Sequence, residues 1–171
     1  PRRYVAFDLG EGSEFHGHSG QGRYYGADYV TTEVNAHHAL GRHEYLISGS
    51  AIAADVFINL PKLKTHKKAG ITCSLKNLVG INGDKNWLPH YRSGFEQGGG
   101  DEFPTPDAYA RLRRAGGDFA RRLLKRGIGG AVFKRLRGLE EASGLGSRAR
   151  NGNWWGNDTI WRTCLDLNKV L

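Results

Sequence analysis

VFINLPKLKTHKKAGITCSLKNLV, residues 56–79, is the stretch that most directly indicates a fold. Its first five residues form an almost continuous apolar run, which is typical of a strand buried on both faces. A lysine-rich segment at 62–68 follows, and residues 69–79 then carry apolar side chains at helical spacing. The order predicts a buried strand, a loop and a helix, which is the repeating unit of α/β proteins.

The rest of the chain fits the same fold class. Further strands are predicted at 4–9, 28–34 and 44–48, and a short helical turn at 50–54. We therefore expect one α/β domain over residues 1–171, with a mixed or mostly parallel sheet and flanking helices. A last helix, capped by Asn157 or Asp158, ends on an apolar stripe, so we expect an internal piece of a longer protein, incomplete at both ends.

Composition excludes several classes of protein. The 171 residues are 39% hydrophobic and 11% aromatic, which excludes a generic disordered chain. The sequence contains neither a signal peptide nor an apolar run long enough to span a membrane. Its two cysteines, Cys73 and Cys164, lie far apart without CxxC spacing, which argues against a zinc or iron–sulfur site made by this chain alone. These features predict a cytoplasmic protein with buried thiols.

The positive charge falls in two regions. The net charge is +8, and residues 106–150 hold twelve basic and four acidic residues. Residues 59–92 hold seven basic residues and one acid. The first region predicts a basic helical hairpin inserted at 106–150, with Thr105 as cap and a stripe of Tyr109, Leu112, Phe119 and Leu123. Three interpretations stay open for it: a solvated face, an anionic membrane surface, or nucleic acid, which is disfavoured because no stacking groove accompanies the charge.

The second region predicts a site for a small anion. Ligands of open α/β sheets bind where strands end and helix N-termini point, and the helix dipole there favours negative charge. The predicted acid–base residues are His66, Lys76 and His90. Repulsion among the lysines would also lower their pKa values, so that one could act as a neutral base. The predicted substrate-binding residues are Lys62, Lys64, Lys67, Lys68, Asn77, Asn82, Asp84, Lys85 and Asp101.

A separate group of histidines lies near the start of the chain. If the backbone is extended there, His16 and His18 would project on one face and form a metal-binding pair. The alternative is a polar, glycine-rich loop without a ligand.

Three stretches resemble the domain of unknown function 362 family. They are NLPKLKTHKKAGITCSLKNLVGINGDKNWLPH at 59–90, GGGDEFP at 98–104 and WWGNDTIWRTCLDLNKVL at 154–171, and together they imply membership over most of the chain. The resemblance implies an α/β domain that continues past Leu171. Some members of the family carry a ferredoxin-like four-cysteine segment or a twin-arginine export signal, and this sequence contains neither. Any 4Fe–4S cluster is therefore expected outside this segment or on a partner.

Two classes of function follow from these observations. The first is an enzyme that binds a small phosphate- or carboxylate-bearing substrate at the lysine- and histidine-rich segment, with redox chemistry and a redox partner as an extension suggested by the family. The second is a non-enzymatic protein, either a basic module that docks on anionic membrane or nucleic acid, or an accessory iron–sulfur redox protein. Salt dependence distinguishes the docking module from the pocket, because docking by many arginines weakens steeply as salt rises.

Overall fold

The computed structural model describes residues 3–26, 31–125, 135 and 151–171. Its strands are β1 (Tyr4–Asp8), β2 (Tyr24–Tyr25), β3 (Glu44–Ser48), β4 (Lys64–His66), β5 (Gly70–Thr72) and β6 (Tyr91–Arg92). Its α-helices are α1 (Thr31–His37), α2 (Gly49–Ile52), α3 (Ser74–Asn77), α4 (Ala108–Lys125) and α5 (Ile160–Lys169). Short 3-10 helices lie at Gly10–Gly12, Leu78–Ile81, Lys85–Trp87 and Glu96–Gly98.

The described strands pair in small antiparallel sheets. β1 pairs with β3, β2 with β6 and β4 with β5, each as a two-stranded antiparallel sheet. The mixed α/β class predicted from the sequence is confirmed at this level. A mostly parallel sheet is not found among the described residues, because a parallel sheet needs long buried strands and these strands have two to five residues.

The prediction for residues 56–79 was wrong in its elements. Residues 56–60 form no strand, and the side chains of Val56, Ile58 and Leu60 are 74%, 74% and 85% exposed. The expected loop contains β4, and the expected helix at 69–79 begins with β5 and reduces to the four residues of α3. Gly70 has a φ of +72°, the left-handed conformation that a tight hairpin turn uses, so the chain reverses where the helix was expected to start.

Other predicted elements were correct or differ for clear reasons. The strands at 4–9 and 44–48 and the helical turn near residue 50 are confirmed as β1, β3 and α2. The expected strand at 28–34 was wrong for residues 31–34, which begin α1, while residues 28–30 lie outside the described part. Asn35 on α1 exchanges hydrogen bonds with the backbone of Tyr24, an interaction between distant residues that strand propensity does not report.

Two apolar clusters form the core of the part of the chain that the structure describes. The larger one joins β3, the 3-10 helix at Leu78–Ile81 and α5 through Tyr45, Ile47, Leu78, Leu88 and Leu167. The smaller one joins the N-terminal loop, β2 and α1 through Phe15, Tyr24 and Val34. Both cysteines are free thiols; the prediction of burial is confirmed for Cys164, whereas Cys73 is half-buried.

Buried polar groups attach α5 to this core. Asn157 caps the helix, as predicted, because its Oδ1 accepts hydrogen bonds from the N–H groups of Thr159 and Ile160. Its Nδ2 donates to the carbonyl of His90 at 3.0 Å, which places His90 relative to α5. Asp101 accepts hydrogen bonds from the Arg92 N–H and the Thr159 hydroxyl, so β6 and the start of α5 share one buried carboxylate.

α4 is the described part of the predicted insertion. The Asp107 carboxylate accepts the N–H of Ala110 at 2.7 Å, so the capping residue is Asp107 and not Thr105. Residues 126–134 and 136–150, which include the expected second arm of the hairpin, lie outside the described residues. Within the described residues, none of the helices has both the length and the apolar character needed to cross a bilayer.

Candidate functional site

Four basic side chains from three parts of the chain come together at one place. His66 and Lys68 lie at the turn between β4 and β5, Lys76 lies on α3, and His90 lies directly before β6. Their charges act on the two histidines: after burial, Lys76 and Lys68 lower the pKa of His66, and Lys68, Lys76 and His66 lower the pKa of His90. We call these four residues the basic cluster. The structure therefore brings together the three predicted acid–base residues and one predicted binding lysine.

Lys68 is held in a partly buried position. Its ammonium group donates hydrogen bonds to the carbonyl of Asn151 and, at 2.8 Å, to Oδ1 of Asn153. It also lies 5.2 Å from the centre of the Tyr91 ring. Burial lowers the pKa of Lys68 to about 8, while the negative charge of Asp101 acts in the opposite direction. The cause is therefore burial, whereas the sequence pattern suggested repulsion between lysines.

His66 shapes the turn that carries Lys68. Its Nδ1 accepts hydrogen bonds from the N–H groups of Lys68 and Ala69 at 3.2 and 3.1 Å. Because Nδ1 is the acceptor, the proton of the neutral ring lies on Nε2. Burial, followed by the charges of Lys76 and Lys68, lowers the pKa of His66. The ring is thus a neutral Nε2–H donor in the free protein, and a nearby anion would favour its charged form.

His90 has the opposite tautomer. Its Nδ1 donates a hydrogen bond to the carbonyl of Leu88 at 2.7 Å, so Nε2 carries the lone pair. Burial lowers the pKa of His90 to about 4, the Leu88 hydrogen bond opposes this change, and the charges of Lys68, Lys76 and His66 add to it. The neutral ring therefore presents an acceptor beside three groups that donate.

Lys76 connects the cluster to α5. Burial raises the pKa of the Cys164 thiol, and the positive charge of Lys76 acts in the opposite direction. Cys164 is 5% exposed and belongs to α5, so the charge of Lys76 acts on a buried group of that helix. Asn77, the neighbour of Lys76, donates a hydrogen bond to Oδ1 of Asn59 at 2.6 Å and so ties α3 to the exposed segment before β4.

Of the remaining predicted binding residues, Asp101 acts on the cluster, because its negative charge raises the pKa of Lys68. Lys62, Lys64 and Lys67 are exposed around the hairpin. Asn82 accepts the N–H of Leu46 on β3. Asp84 caps the 3-10 helix that carries Lys85, and this helix packs against α1 and β3. Asp101 is the buried carboxylate that β6 and α5 share.

The backbone around His16 and His18 is turned, so the extended geometry expected for a metal pair is absent. The His18 N–H donates to the carbonyl of Phe15, and His16 is exposed. Both ring nitrogens of His18 lie at hydrogen-bonding distance from protein groups, at 2.8 Å from the Tyr24 hydroxyl and 3.3 Å from Asp158. The described residues contain no group of three or more histidine, cysteine or acidic side chains that could hold a metal ion.

Comparison with known proteins identifies the family of the chain. A family model described as "Domain of unknown function (DUF362)" matches residues 19–169. The chain belongs to the DUF362 family. No curated protein and no solved structure matches it significantly. The resemblance inferred from the sequence is therefore confirmed, and the match includes every residue of the basic cluster.

Sequence reasoning on this DUF362 chain missed the residues that hold Lys68 in place. Asn151 and Asn153 flank Gly152, and Asn151 has a φ of +52°, so an Asn-Gly-Asn turn presents two acceptors to the amine. The dipeptide Asn-Gly is a clear turn signal. Nothing in the sequence indicates that this turn lies beside residue 68, which is more than eighty residues earlier in the chain.

Proposed function

We propose that this DUF362 domain is an enzyme that binds a small phosphate- or carboxylate-bearing substrate at the basic cluster. The observation that carries the proposal is that Lys68 and Lys76, from the turn after β4 and from α3, lie close enough to His66 and His90 for their charges to act on both imidazoles. Burial and the charges of Lys76 and Lys68 keep the imidazoles of His66 and His90 neutral, and a bound anion would offset those charges. The lysines would therefore attract the anion, and the anion would in turn favour protonation of His66.

Each residue has a distinct part in the proposed chemistry. Lys76 supplies a fixed positive charge, and His66 adds an Nε2–H donor to the anion. Lys68, with a pKa of about 8, is partly neutral near physiological pH. A neutral amine that donates two hydrogen bonds, to Asn151 and Asn153, still has its lone pair, so Lys68 is the proposed general base or nucleophile.

The first experiment follows the imidazole signals of His66 and His90 by NMR while inorganic phosphate, or malonate as a dicarboxylate, is added to the full-length protein. We expect the pKa of His66 to rise on binding, because the anion offsets the charges of Lys76 and Lys68. The Lys76→Gln variant should weaken binding by about tenfold, the order expected for losing one charged hydrogen-bonding partner.

The Lys85→Gln variant is the matched control. It removes the same charge from the 3-10 helix that packs against α1 and β3, and it should leave anion affinity unchanged. Equal losses in Lys76→Gln and Lys85→Gln would show that only the overall charge attracts the anion, and the proposed site would be wrong.

The redox extension rests on the family resemblance alone and remains a prediction. Iron and acid-labile sulfide measured on anaerobically purified full-length protein test it. Both present in a constant ratio would support a cluster outside residues 1–171, and their absence from active protein would contradict it.

A further inference from the structure

α4 has an exposed apolar face that the proposed enzyme site does not use. Leu112 and Phe119 are 74% and 62% exposed. They are seven residues apart, so at about 100° per residue they project within about 20° of each other. Ala108 and Ala115 are also exposed and lie on the same side. Large apolar groups aligned along one side of a helix are typical of an interaction surface.

The opposite side of α4 contacts the body of the protein. Ala110 is 4% exposed, and the Arg114 guanidinium lies 5.8 Å from the centre of the Phe95 ring. Residues 110 and 114 are one turn apart and lie about 160–200° from Leu112 around the helix. These contacts hold one side of α4 against the protein, so the side that carries Leu112 and Phe119 faces outward.

The charge of α4 decides which partner fits this face. Between Ala108 and Lys125 the sequence contains six basic residues and one acid. A second copy of the same helix would bring two strongly positive surfaces together. Nucleic acid would pair with the arginines and leave Leu112 and Phe119 in water. An anionic lipid bilayer suits both the positive charge and the apolar face of α4. Its headgroups attract the arginines, and its acyl boundary accepts the apolar side chains.

We propose that α4 docks the protein onto anionic membranes, lying in the plane of the interface with Leu112 and Phe119 inserted. Docking of this kind does not depend on what the basic cluster binds.

The test is co-sedimentation of the full-length protein with vesicles of phosphatidylcholine, with or without about 30% phosphatidylserine. We expect binding to the anionic vesicles, weaker binding to the neutral ones, and release as salt rises. Replacing both apolar residues, Leu112→Ser with Phe119→Ser, should weaken binding to anionic vesicles by about tenfold or more, because burial of those side chains is lost.

The control variant carries Leu40→Ser and Ile52→Ser, which replace two exposed apolar residues elsewhere and should leave vesicle binding unchanged. Both double variants change exposed positions, so circular dichroism should show native helix content, and phosphate binding at the basic cluster should be retained. No vesicle binding by the unmodified protein, equal binding to neutral vesicles, or equal loss in the control would each overturn the proposal. It would also be overturned if the Leu112/Phe119 variant lost only self-association or RNA binding.

Discussion

At the scale of single residues, Asp101 is a buried carboxylate whose oxygens contact several protein groups. It is 1% exposed, accepts hydrogen bonds from the Asp158 N–H and the Thr159 hydroxyl at 3.0 and 2.6 Å, and lies 3.6 Å from Nε of the buried Arg92. The sequence analysis placed Asp101 among the predicted substrate-binding residues. The structure shows that its oxygens already have partners within the protein.

Replacing Asp101 with asparagine should lower the free energy of unfolding by about 3 kcal/mol, because it removes one of the two carboxylates that offset the buried charge of Arg92 and leaves Asp158 alone. Chemical denaturation of the two proteins measures the difference. Asp55→Asn changes an exposed carboxylate and should shift stability by less than about 0.5 kcal/mol. A small effect of Asp101→Asn would mean that Arg92 finds other partners.

His38 and His43 form a buried pair whose protonation opposes folding. The Nε2–H of His38 donates to the carbonyl of Trp87 at 2.8 Å, and its Nδ1 lies 3.4 Å from Nδ1 of His43. His43 therefore donates from Nδ1, and its buried Nε2 has no hydrogen-bond partner among the described residues. Burial lowers the pKa of His38 to about 3 from 6.5, with His43 and His37 adding to the change and Asp8 and the Trp87 carbonyl opposing it.

The unfolded chain therefore binds a proton at His38 at higher pH than the folded protein does. Stability contributed by neutral His38 is present above about pH 6.5 and falls by up to about 1.4 kcal/mol per pH unit between pH 6.5 and pH 3. In the His38→Gln variant, residue 38 cannot bind a proton when the chain unfolds. The free energy of unfolding of this variant should therefore fall less steeply between about pH 6 and pH 4. Denaturation at several pH values gives both slopes, and equal slopes would contradict the depressed pKa.

At the scale of elements, the turn between β4 and β5 shows why the site was only partly predictable. The lysines and histidines of residues 62–68 are visible as a pattern, and their role as a positive group needs no structure. The element that presents them does not follow from periodicity, because Ile71 and Leu75 fit a helix as well as a short strand. Left-handed Gly70 and the hydrogen bonds from the turn to His66 favour the hairpin.

Gly70→Ala should lower the free energy of unfolding by about 1–2 kcal/mol, because a side chain is strained at φ +72°. It should also weaken phosphate binding, since the turn positions His66 and Lys68. Gly80→Ala is the matched control: Gly80 has no positive φ and an added Cβ meets nothing within 4 Å. Thermal unfolding and the NMR titration provide the two readouts, and similar effects of both variants would contradict a role for the turn conformation.

At the scale of the whole molecule, α5 holds together parts of the chain that are distant in sequence. Leu167 is fully buried in the larger core cluster with β3 and the 3-10 helix that follows α3.

Leu167→Ala should lower the free energy of unfolding by about 3 kcal/mol, from lost burial and the cavity left behind. Leu60→Ala, at a position 85% exposed, should change it by less than about 0.5 kcal/mol. Urea denaturation compares them, and a small loss in Leu167→Ala would show that the core closes around the missing side chain.

The sequence by itself determined the family, the mixed α/β class, several of the elements and the concentration of positive charge in residues 59–92. These depend on local composition and on short patterns, which lie within short segments of the sequence. Only the tertiary structure decided that Asn82 and Asp101 serve the fold, and that His90 and Lys76 join the turn after β4. Those outcomes depend on contacts between residues far apart in sequence, such as Asn157 with the His90 carbonyl and the Asn151–Asn153 turn with Lys68. Burial creates the lowered pKa of Lys68, and burial is a property of the packed molecule and not of any one segment.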